Sequence, residues 1–92
     1  MTRRVGRYAV VTHDGTKLGE VVGEKGIYFL VQYGRLSKRV RPLPRAKATV
    51  RQEQTEILSH ISRNEFSKAP EVRETAHFDA AEADEYYGRL RD

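Results

Sequence analysis

The sequence predicts a mainly β fold: a small antiparallel barrel of five to six strands, a short capped helix, and a C-terminal tail that is helical or disordered. Three observations carry this expectation. Up to residue 61, β-rich runs are broken about every ten residues by glycine- or proline-marked turns. At Ser62 a capping signature opens a different, helical period. A chain of 92 residues has room for one domain with a single small core.

The elements follow in order. Tyr8–Thr12 is a β-rich run, and Asp14-Gly15 supplies residues that tolerate the positive φ of a tight turn. Leu18–Val22 follows, and "GEKG" turns it into residues 27–33, the most apolar segment. There Ile27, Phe29, Val31 and Tyr33 share one face and Tyr28 and Leu30 the other, so both sides of a central strand are to be covered. In residues 38–44 Arg39 and Arg41 alternate with Val40. Pro42 and Pro44 mark this run as an edge strand, because proline cannot donate to a ladder. Residues 46–50 alternate Ala46, Ala48 and Val50 inward with Lys47 and Thr49 outward, and residues 56–61 supply a sixth strand.

Ser62 and Glu65 have the spacing of a capping box, flanked by Ile61 and Phe66 as a hydrophobic staple, and Pro70 stops the short helix. Residues 1–72 thus make the domain and residues 73–92 a separate acidic tail. Within the tail Asp79 caps a helix whose thin apolar stripe is Ala80, Ala83, Tyr87 and Leu90. Acids crowd its start and arginines its end, the order the helix dipole favours.

Composition sets bounds. With no Cys, disulfides and thiolate metal sites are excluded. The basic N-terminus has no apolar run of signal-sequence length, and no later segment reads as a membrane span, so a cytoplasmic protein without membrane insertion is expected. Charge is polarised: residues 1–51 hold twelve Lys/Arg against three Asp/Glu, residues 52–92 five against ten. Such a chain attracts an acidic partner or its own other half.

The strand pattern, the glycine turns and the capped helix ending in "AP" bring a family into view. "DGTKLGEVVG", with Gly15, Leu18, Gly19 and Val21, is similar to the opening motif of the PRC-barrel superfamily. "YFLVQYG", "RVRPLPRAKATV" and "ISRNEFSKAPEV" resemble its later segments, and the match covers roughly residues 5–72. The basic, proline-rich strands and the tail from about residue 73 depart from the family pattern. The resemblance implies a small β-barrel that works as an adaptor, with self-association in several stand-alone members and no catalytic residues to carry over. It also makes Gly19 the tight bend of a barrel wall.

No catalytic constellation stands out. His13, His60 and His77 lack metal-ligand spacing, the carboxylates sit at helix starts and in the tail, and "GEKG" lacks the context of a phosphate loop. No cofactor is expected, and the chain reads as a non-enzyme. The basic segment is the main candidate site: Arg35, Lys38, Arg39, Arg41, Arg45, Lys47 and Arg51, with Tyr33 as a stacking ring, could meet nucleic acid or another acidic partner. Tyr28, Leu30, Tyr87 and Leu90 are the candidate assembly residues. The expected function is a protein–protein interaction module, a homodimer; the alternative is an RNA- or ribosome-associated basic module. The tail helix is too thin in apolar surface to stand alone. It is expected to dock on the basic strands, with Glu82, Asp84 and Glu85 near Arg39, Arg41 or Arg45 and with Tyr87 and Leu90 making the apolar contact.

Overall fold

The structure is a computed structural model that describes residues 7–34, 38–73 and 78–90. Six strands form one sheet: β1 (Ala9–Thr12), β2 (Lys17–Lys25), β3 (Tyr28–Tyr33), β4 (Arg39–Pro44), β5 (Ala48–Arg51) and β6 (Glu56–Ser59). Two helices follow, α1 (Arg63–Ser67) and α2 (Ala80–Arg89). The spatial order is β4-β3-β2-β1-β6-β5.

The mainly β expectation holds, and two of its finer parts need correction. The sheet is mixed, because β1 and β6 run parallel with Val10 opposite Ile57. It is also unclosed: β4 and β5 are its two ends, joined through the chain by a 3-10 turn at Arg45–Lys47. Among the described residues the outer side of β4 is met by residues 69–72 and α2 instead of by β5.

Local chemistry explains most elements. At the β1–β2 turn Gly15 has φ +87°, and Asp14 Oδ1 accepts from the Thr16 amide (3.1 Å) and from the Thr12 hydroxyl. Those hydrogen bonds, the Thr12 one foremost, hold the Asp14 carboxyl below its usual range. Gly19 is required by space: a Cβ there would overlap the Gln32 carbonyl oxygen and lie 3.0 Å from Val31 Cγ1. The "GEKG" turn is narrower than expected. β2 runs on through Glu24 and Lys25 after a bulge between Val21 and Gly23. Lys25 pairs with Tyr28, so the turn is Gly26-Ile27, with Gly26 at φ +57°. Ile27 is therefore at a tip, not on the strand face predicted for it.

The core lies on β1–β4 and β6, with Val10, Val21, Phe29, Val31, Leu43 and Ile57 fully buried. As expected, β3 is covered on both faces: Tyr28, Phe29, Leu30 and Val31 are each 2% exposed or less. Residues 45–47 form the 3-10 turn instead of continuing a strand, so Ala46 is exposed, as is Val50. The capping box is present, with Glu65 N–H donating to Ser62 Oγ (3.1 Å) and Ser62 N–H to Glu65 Oε1 (2.9 Å). Ile61 and Phe66, the staple pair, are both buried in the core. Asp79 caps α2 by accepting from the amides of Ala81 (3.0 Å) and Glu82 (3.4 Å).

Candidate functional site

The predicted basic stripe starts on β4, and proline decides which of its residues face outward. Pro42 and Pro44 sit opposite Leu30 and Tyr28 of β3 and have no N–H to give to that strand. Residues in phase with them, including Val40, therefore turn their peptide groups away from the sheet. Two of those outward carbonyls are taken. Val72 N–H donates to Val40 O at 2.7 Å, and the Tyr87 hydroxyl donates to Pro42 O. The outer edge of β4 is thus occupied by the chain's own C-terminal segments.

The cations behave differently from one another. Arg39 pairs with Glu71 (3.3 Å), Arg45 with Glu24, and Arg51 with Glu56 (3.1 Å). Arg41 is half-buried. Its guanidinium lies over the Tyr33 ring at 5.2 Å and donates through Nη1 to Ala69 O, while its Nε and the Tyr33 hydroxyl are buried without a partner among the described residues. Arg45 also stacks on Phe29, 4.6 Å from the ring centre. Lys38 is exposed and Lys47 half-buried; Arg35 and His77 lie outside the described residues. Tyr33 stands edge-on to Phe66, 5.9 Å away, with Arg41 over its ring face, so a base would have to displace that cation in order to stack there. The residues expected as one cationic stripe divide between the two ends of the sheet and the turn that joins them, and three of the arginines pair with carboxylates.

The tail helix docks, but by other contacts than charge pairing with the stripe. Ala83 and Tyr87 are buried and Leu90 packs against the core, so the apolar half of the expectation holds. The acids do not meet the arginines of β4. Asp84 accepts from the Tyr28 hydroxyl, and Glu85 pairs with Arg89 of its own helix. The Tyr86 hydroxyl donates to Glu65 O, tying α2 to α1. The physical reason is proximity: the arginines are already matched by Glu71, Glu24 and a carbonyl, and buried tyrosine hydroxyls must find acceptors. Burial first, then the nearby Asp84 charge, pushes the Tyr28 hydroxyl far above its ordinary pKa. Burial does the same for Tyr87.

Tyr28, Leu30 and Tyr87, expected at an assembly face, are buried within this one chain. Residues 28–31 of β3 offer no apolar surface to a partner, because α2 and the core cover them. Among the described residues the large apolar side chains that remain exposed are Ile27 (60%), Val22 (41%) and Val50 (36%).

Sequence spacing missed one pairing. The parallel register that sets Thr12 beside Ser59 brings the next residues, His13 and His60, to 5.9 Å between ring centres. His60 Nε2 is also 2.7 Å from Thr49 Oγ1. No local signal marks two histidines so far apart in sequence as neighbours. Among the described residues no group of three or more His, Asp or Glu is placed to hold a metal.

Among the described residues four concave regions frame what the surface can bind, and the smallest, about 330 Å3, is lined by His13, Asp14, His60 and Arg63. One of about 650 Å3 is lined by Arg7, Lys17, Glu20, Gln32 and Lys38, with Lys17 and Glu20 paired at 3.5 Å. The other two, about 470 and 560 Å3, flank Ile27. No helix of the described residues is long and apolar enough to cross a membrane. No family model matches the chain, and no curated protein matches it. Among the described residues the surface also carries the outer edge of β5, which no other strand borders, and the exposed aliphatic side chains of Ile27, Val22 and Val50.

Proposed function

We propose that this chain is a non-catalytic protein-interaction module of PRC-barrel-like type that associates with a second copy of itself. The observation that carries the reading is the contrast in what is left uncovered. The described arginines of the basic segment are largely matched inside the chain, whereas no described residue pairs with the outer edge of β5 and the aliphatic Ile27 is exposed. Solvent-exposed ion pairs hold their arginines only weakly, at roughly 0–1 kcal/mol each, but they cancel the local field that would draw a polyanion. An open edge and exposed aliphatic groups favour a protein surface as partner.

A second reading, an RNA- or ribosome-associated module, is favoured by the cleft where Arg7, Lys17 and Lys38 face a single carboxylate, Glu20. Two measurements separate the readings. Sedimentation of the full chain should show mass rising with concentration into the high micromolar range, and a monomer throughout would overturn self-association. Affinity capture from the native cell should retain its protein partners after nuclease treatment; their loss would favour the second reading.

A further inference from the structure

Ile27 stands out for its place as well as its exposure. It occupies the second position of a two-residue hairpin turn, where Gly, Asn and Asp are the usual choices and a β-branched side chain contributes nothing to the turn. Its side chain is outside the core, yet its backbone is fixed, because Arg45 N–H donates to Ile27 O at 2.8 Å and ties the tip to the corner where β4 ends. Singly exposed aliphatic residues are ordinary on protein surfaces. This one forms a rigid knob between two hollows. The hollow of about 470 Å3 has Lys25, Phe78 and Ala80 in its walls; the other, of about 560 Å3, has Pro44, Ala46 and Tyr87. Asp84 borders both.

We propose that this corner is the contact between two copies of the chain, related by a two-fold axis, with each Ile27 seated in the other copy's hollow between Ala46 and Tyr87. The inference rests on the reading of the chain as self-associating and names the surface responsible. A two-fold contact needs a patch complementary to itself. In shape, a knob adjoins a hollow wide enough for an isoleucine. In charge, the same patch carries the Lys25 and Lys47 ammonium groups, the His60 ring and the Asp84 carboxylate, and a second copy turned by the two-fold brings Lys25 of one chain to Asp84 of the other. A purely acidic or purely basic peptide would satisfy only one of the two. Asp84 is positioned for this, since the Tyr28 hydroxyl fixes its carboxylate at the mouth of the hollow.

The test is sedimentation equilibrium on the full chain and on Ile27→Glu, Ala46→Trp and Val22→Glu, with thermal melts to confirm folding. Ile27→Glu removes the knob and Ala46→Trp fills the hollow; both positions are exposed in the single chain. Each should weaken the dimer at least tenfold. Val22→Glu, an exposed position in the walls of neither hollow, should leave it within about twofold. Lys25→Glu should weaken it less than Ile27→Glu, and its effect should fade at high salt. If the unaltered protein dimerises and neither Ile27→Glu nor Ala46→Trp changes the constant, this surface is wrong while the self-association reading stands. If the unaltered protein is monomeric, that reading itself fails.

Discussion

β4 and β5 border the same sheet and are joined by a three-residue turn, yet their outer sides are handled in different ways. On β4 the outward positions are Val40, Pro42 and Pro44. Two of these lack an N–H, and the carbonyls of Val40 and Pro42 are held by Val72 and Tyr87. β5 is short and uses ordinary residues. Because His60 N–H donates to Lys47 O, alternation along the ladder turns the Val50 peptide groups outward, and no described residue claims them. The lesson is that the chain closes one edge with its own C-terminal segments, while no described residue covers the outer side of the other. An edge strand that is neither covered nor prolonged is a site where another chain can add.

The comparison can be broken hardest at Tyr87. Tyr87→Ala removes a buried ring and the hydroxyl that satisfies Pro42 O, and should cost about 3–5 kcal/mol. Calorimetry should show the loss, and limited proteolysis should cut first at α2. A melt unchanged from that of the parent would mean that α2 does not cover β4. Gly19→Val strikes the sheet between the two edges, where any Cβ meets the Gln32 carbonyl oxygen. It should destabilise by about 1–3 kcal/mol, and both edges should lose hydrogen-exchange protection together.

Alkaline pH should act on the covered edge alone. The Tyr28 and Tyr87 hydroxyls have pKa values raised in the folded chain, chiefly by burial. A raised folded-state pKa means stabilisation that is intact below the ordinary tyrosine value of about 10 and is lost as pH rises from there through the folded value. The Ala83 methyl NMR signal should therefore move to an undocked position above that pH, before signals from β1 and β6 change; simultaneous loss would contradict a separately docked helix. The smallest effects belong to exposed side chains. Arg39→Ala should cost less than about 1 kcal/mol despite its ion pair with Glu71. Val50→Thr should alter the melt by less than about 0.5 kcal/mol, since nothing in the single chain packs over it.

What the sequence made legible was what its chemistry writes locally. The Asp14-Gly15 turn, the Ser62–Glu65 box, the Asp79 cap and the proline-marked edge strand each depend on a few neighbouring residues, and each is present. Two features depend on pairings across the chain and had no local mark. The parallel β1–β6 ladder makes the sheet mixed and brings His13 to His60. The partners of the basic residues are fixed by which acids the fold places beside them, so a stripe counted in sequence became pairs with Glu71, Glu24 and Glu56. Ile27 was misplaced for a third reason. A continuous apolar run does not show where its turn ends, and one residue of shift moved Ile27 from a strand face to an exposed tip.

The central claim is that the covered edge is a matter within one chain while the Ile27 corner is a matter between chains. Amide hydrogen exchange at low and high protein concentration addresses both halves in one experiment. The account predicts slow exchange in β4 at either concentration, together with protection at residues 26–28 and 45–48 that grows as concentration rises. Exchange independent of concentration at the corner, or protection that grows in β4 instead, would contradict it.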